Sequence, residues 1–156
     1  MIFRNILFPL LAITMLFAAC QQQPKTEAQQ QLNTSDSSNA SVHKACYSFM
    51  KNRDTVTLTL EQRGKAYSGE LRYQLYEKDS NEGKVSGKMM GDTLLLNYTF
   101  NSEGTSSVRQ IAFLKKNNQL LEGYGPVVDK EGAVVFKNTS DLKFGDGIVL
   151  ETVDCP

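Results

Sequence analysis

The chain of 156 residues carries 17 basic and 17 acidic side chains, so its formal net charge is zero. That balance excludes the basic face with which a nucleic-acid binder displaces counterions from phosphates, and the length allows one ordinary hydrophobic core. With no Trp, one His and three Cys, most metal-site and catalytic-triad chemistry is removed before any motif is read.

Taken from the N-terminus, Arg4 precedes an apolar run over residues 6–17 that is broken only by Pro9 and Thr14 and followed by Ala18, Ala19 and Cys20. The run is too short for a membrane span and reads as an export signal over residues 1–19. Next comes a shift in composition. Gln21, Gln22, Gln23, Gln29, Gln30 and Gln31 lead into a run of Asn, Thr, Ser and Asp over residues 33–39, with hardly an apolar side chain before Val42. Such a stretch buries too little surface to offset its ordering entropy. Residues 20–45 are therefore expected to be a disordered tether, and residues 46–156 the folded domain.

All 11 glycines lie at or beyond Gly64, and from about residue 46 onward short alternating apolar runs are separated by turn residues, the pattern of a half-buried antiparallel sheet. The clearest strands cover residues 55–62 (Val56, Leu58 and Leu60 on one face), 67–76 (Leu71, Tyr73, Leu75) and 93–100 (Leu94, Leu96, Tyr98, Phe100). Residues 85–89, 108–115, 119–127, 133–136 and 143–153 complete a set of eight. Arg63-Gly64-Lys65, Met90-Gly91-Asp92 and Lys116-Asn117-Asn118 are short enough for hairpins. The expected fold is all-β: an antiparallel meander of about eight strands, closed or nearly closed into a barrel, with a flattened sandwich as the alternative. The tight turns then share one end. Longer loops over residues 77–84, 101–107 and 128–132 share the other, and their rim carries Glu82 and Glu103 as candidate ligand contacts.

Once Cys20 is set aside, Cys46 and Cys155 are the only thiols left, and in an exported protein they are expected to be joined; the alternative is two free thiols. An eight-stranded core with Cys46 just before its first strand places both at the long-loop end.

The sole His, His43, falls in the tether, so an imidazole-dependent nucleophile is not expected. Neither three or four converging zinc ligands nor a calcium-loop spacing is present, and no cofactor is implied. The domain therefore reads as non-catalytic. Arg109 has two readings. If Ile111 and Phe113 face the interior, Arg109 shares their parity and enters from the long-loop end, where it can hold a ligand carboxylate or close the lumen; the opposite phase leaves it on the surface. Tyr73, Tyr98 and Tyr124 are similarly open between lining a cavity and filling a core.

Leu16-Phe17-Ala18-Ala19-Cys20 resembles the lipobox of bacterial lipoproteins, with Phe17 where the family usually has Leu. The resemblance implies cleavage before Cys20 and its acylation with diacylglycerol and a further palmitate-like chain, enough for stable anchoring to a membrane. Gln21 after the Cys fits sorting to the outer membrane. The Gly-punctuated meander looks like a small lipocalin-like barrel, which implies a small hydrophobic ligand or an envelope protein as partner. A lipid-anchored β-domain with one Cys near each end is also similar in outline to membrane-bound inhibitors of c-type lysozyme. Their inhibitory loop carries Ser-Gly-x-x-Tyr, where this chain has Ser68-Gly69-Glu70-Leu71-Arg72-Tyr73, one residue longer.

Overall fold

The computed structural model describes residues 41–78, 80–102 and 104–156, so the expectations for residues 1–40, Cys20 among them, and for Glu103 lie outside the described residues. Ten strands follow one another: β1 (Val42–Lys51), β2 (Asp54–Arg63), β3 (Ala66–Gln74), β4 (Asn81–Met90), β5 (Thr93–Ser102), β6 (Thr105–Lys116), β7 (Gln119–Tyr124), β8 (Val127–Lys130), β9 (Ala133–Phe136) and β10 (Lys143–Val153). A single 3-10 turn, Thr139–Asp141, precedes β10.

Eight of these strands close into an antiparallel barrel in the order β1-β2-β3-β4-β5-β6-β7-β10, with β10 returning to β1 and β5 joined to β6. Closure removes the exposed edges that an open sheet would present. The alternation read from the sequence sets the phase. Val56, Leu58 and Leu60 on β2, Leu71 and Tyr73 on β3, Leu94, Leu96 and Tyr98 on β5, and Ile111 and Phe113 on β6 all point inward and are buried. Val85, Leu120 and Leu150 complete this packed middle, each burial contributing about 1.5–3 kcal/mol. The barrel is therefore filled at its waist and is not a through-channel.

The strand set differs from the sequence expectation in two places. Residues 42–51 form a full strand, because Ala45, Tyr47 and Phe49 alternate inward in register with β2, Tyr47 opposite Leu58 and Phe49 opposite Val56. Conversely, Ala133–Phe136 is not a stave of the barrel. It pairs with β8 in a hairpin outside the ring and lies parallel to β6 at Val108 and Arg109. One stave is gained and one lost, so the barrel keeps eight.

That exchange moves the disulfide. The two-residue turns at Gly64-Lys65, Gly91-Asp92 and Asn117-Asn118 do share one end, here the turn end. Asn117 and Gly91 sit there at φ 53° and 61°, the left-handed geometry that hairpin turns require. However, β1 now starts at that end and β10 finishes there. Cys46 and Cys155 are joined, with Cα atoms 5.2 Å apart, at the turn end and not at the loop end. Cys46 faces outward on the wall, its sulfur 3.8 Å from Thr59 Oγ1. The opposite, loop end carries the β1–β2 turn, the end of β3 and start of β4, the paired ends of β5 and β6, and the insertion 125–142 with its hairpin. The expected long loop over 101–107 is mostly strand, since β5 and β6 stay paired as far as Ser102 and Thr105.

Candidate ligand site at the loop end of the barrel

The wall opens at one seam. β7 pairs with β6 only from Ala112 to Lys116, because the chain leaves the ring after Tyr124 to build the β8–β9 hairpin; β9 then takes over beside Val108 and Arg109. The seam and the loop end together form a cavity of about 520 Å³. Its wall is apolar at Leu75, Ile111 and Ile148 and charged at Arg109, Glu122 and Lys78.

Arg109 takes the inward phase. It lies opposite Tyr98 on β5, and its guanidinium carbon stands 5.3 Å from the ring centre of Tyr73, 5.4 Å from that of Tyr98 and 5.3 Å from that of Phe100. Tyr98 and Phe100 stack at 4.7 Å. Three ring faces thus hold one cation, an arrangement worth about 0.5–2 kcal/mol per well-placed contact. Its Nε is buried and meets no hydrogen-bond partner among the described residues, and the same is true of Tyr98 Oη.

Glu122 is the residue the sequence reading missed. It shares the inward parity of Leu120 on β7 and is the one buried charged side chain among the described residues. Tyr73 Oη donates to its Oε1 at 2.7 Å, and Tyr124 Oη donates to its Oε2 at 2.8 Å. Both are short, charge-assisted bonds of the kind that offsets the cost of burying a carboxylate. Although Arg109 and Glu122 line the same cavity, they make no ion pair. Tyr73 stands between the two, ring toward the cation and hydroxyl on the carboxylate.

Of the other expected contacts, Glu82 lies within the described residues. Glu82 faces outward from β4 and meets Arg72 across the β3–β4 ladder at 3.6 Å, with both side chains largely exposed; a pair of this kind contributes little. The Glu82 charge nevertheless acts on Tyr98, the same hydroxyl that feels Arg109. Ser68-Gly69 lies inside β3, paired with Glu61 and Leu60, and not on a projecting loop.

The tyrosines record the environment. Burial, reinforced by the Glu122 charge and hydrogen bond, raises the hydroxyls of both Tyr73 and Tyr124 far above their usual range. Burial pushes Tyr98 up to about 12, with the Arg109 charge pulling the other way. Tyr47 is also raised by burial. A raised folded-state value means that the folded barrel keeps protons which the unfolded chain has already released, so this stabilisation is complete below the unfolded tyrosine value, about pH 10. It is lost as pH rises toward 12 and beyond. Spectrophotometric titration should therefore show phenolate from these four tyrosines appearing together with loss of the β-sheet circular dichroism signal, not ahead of it.

Comparison with protein families, with curated proteins and with solved structures finds no match to this chain.

Proposed function

We propose that the chain is a lipid-anchored protein of the cell envelope, held at Cys20 and sorted to the outer membrane, whose barrel is a non-catalytic binding module that takes a small ligand at its loop-end cavity. The observation that carries the reading is Arg109: a cation gripped by three aromatic rings, lining a partly apolar cavity, with no ion-pair partner among the described residues. A guanidinium fixed in this way is pre-organised for an anionic group, because its rotamer freedom is already spent before a ligand arrives. Among the described residues the cavity lining holds no Ser, Cys or His, and its one buried carboxylate accepts from two tyrosine hydroxyls. The lysozyme-inhibitor alternative has no comparable support, since Ser68 and Gly69 are committed to the β2–β3 ladder.

The test uses the full chain extracted from membranes. Native mass spectrometry is expected to show a bound small molecule that Arg109→Gln loses, while Lys65→Ala at the turn end and Glu82→Lys on the outer wall retain it. Cys20→Ser should move the chain into the soluble fraction. Retention by Arg109→Gln together with loss in Lys65→Ala would place binding at the wrong end of the barrel.

A further inference from the structure

Besides Lys78, the cavity holds two opposite charges, Arg109 and Glu122, that make no ion pair with each other. Arg109 is backed by Tyr73, Tyr98 and Phe100; Glu122 is pinned by Tyr73 and Tyr124. Neither side chain is free to swing toward the other without giving up those contacts. Yet both line one cavity, beside Leu75, Ile111 and Ile148. Keeping a buried carboxylate and a guanidinium apart forgoes the attraction they would gain as a pair in a low-dielectric site, so the aromatic framework that separates them is the feature to be explained.

Resting on the reading of this cavity as a ligand site, we infer that its ligand is a zwitterion: a small molecule with a carboxylate for Arg109, an ammonium for Glu122 and an apolar body for the aliphatic wall, the chemistry of an aliphatic α-amino acid. The hydrogen-bonding capacity fits. A carboxylate offers about four lone-pair positions, and the two tyrosines take two from Glu122, leaving acceptors for an ammonium. Arg109 has five N–H donors, and its Nε has no partner among the described residues. Glu122 alone would suit an amine and Arg109 alone an acid. Only a ligand carrying both groups uses both residues.

The experiment titrates the full chain in nonionic detergent, by calorimetry and by NMR of the backbone amides of Arg109, Gly123 and Ile148, with three probes of one carbon skeleton. These are leucine, 4-methylpentanoate, which lacks the ammonium, and 3-methylbutylamine, which lacks the carboxylate. Leucine is expected to bind about tenfold or more tighter than either, since each lost charge-assisted contact is worth at least that factor. Arg109→Gln should weaken leucine and the acid but leave the amine unchanged. Glu122→Gln should weaken leucine and the amine but leave the acid, with an unchanged circular dichroism spectrum certifying the fold of each variant. An acid or an amine that matched leucine while shifting the same amides would overturn the zwitterion and leave the cavity as a site for one charge. If none of the three moved those amides, the cavity reading would fall with it.

Discussion

Replacing Cys46 and Cys155 together by serine is expected to lower the stability of the barrel by about 4–5 kcal/mol, the chain-entropy value for a loop of this size. The bridge spans 109 positions of sequence, nearly the whole folded domain, so its loss frees the unfolded chain as much as any single cross-link here can. Its place in the fold adds a second effect. The β1–β10 ladder that closes the ring consists of Cys46 opposite Val153, Tyr47 opposite Thr152 and Ser48 opposite Glu151, whereas β1 and β2 are paired along their full lengths. The disulfide clamps this short seam just where β10 ends. Since domains of this kind are stable by only about 5–15 kcal/mol, urea unfolding should shift to far lower denaturant. Hydrogen exchange at residues 46–48 and 151–153 should rise more than at the β2–β3 ladder. A loss below about 1 kcal/mol would mean that the reduced chain is already held together across that seam by its ladder and core alone.

The closed β-architecture was legible because the inward phase is written without ambiguity on β2, β3 and β5: in Val56-x-Leu58-x-Leu60 or Leu94-x-Leu96-x-Tyr98 every second residue is large and apolar. Membership of the ring was not legible, for two physical reasons. In β1 the inward residues Ala45, Tyr47 and Phe49 follow the polar His43 and Lys44, so the alternation begins late and is easily assigned to the tether. In β9 the run Ala-Val-Val-Phe has the composition of a buried strand, and local composition does not say which neighbour a strand will choose. The two errors compensate in strand number, but each reverses the direction of the chain, and together they carry the cysteines to the opposite end. Parity arguments of this kind depend on every stave being counted.

The site was half legible for a related reason. On β6, Val108, Ala112 and Leu114 compete with Ile111 and Phe113 for the inward phase, so the sequence left Arg109 open between lumen and surface. The structure resolves the competition outside the ring: Ala112 is fully buried on the outer side, where it pairs with Gly123, itself opposite Phe144. The same outer packing hid Glu122. Leu120 and Leu121 are apolar on both phases, and a glutamate beside them reads as solvent-facing. Only the two tyrosine hydroxyls that reach it, from β3 and from its own strand, make the inward position tenable. There is a consequence for orientation as well. β1 starts at the turn end, so the first described strand enters the barrel at the end opposite the cavity.

Gly87→Ala is expected to be strongly damaging, because position 87, like Gly69 and Gly83, is one where an added methyl meets the backbone of the neighbouring strand. A Cβ at position 87 would overlap the carbonyl oxygen of Leu95 and stand 2.9 Å from the Leu96 Cα, both backbone atoms of the neighbouring strand that no rotamer change can move aside. A Cβ at Gly83, four residues earlier on β4, would overlap the Thr99 carbonyl oxygen in the same way. These inward positions flank Val85 and let β4 wrap closely against β5, the bend that brings a flat ladder round into a barrel. Relieving the overlap requires β4 and β5 to separate, breaking ladder hydrogen bonds and opening the core at Leu96. A cost of about 4 kcal/mol or more follows, beyond the usual range for overpacking by a single methyl because the obstruction is backbone. Gly64→Ala supplies the contrast. Position 64 has a φ of 60° but no atom within 4 Å of the added Cβ, so only the left-handed backbone penalty of about 1–2 kcal/mol applies. Thermal melts of the two variants, compared with the parent chain, should place Gly87→Ala well below Gly64→Ala. If the order were reversed, the β4–β5 approach would not be the reason for glycine at position 87, and the barrel would have to close by a bend elsewhere in its wall.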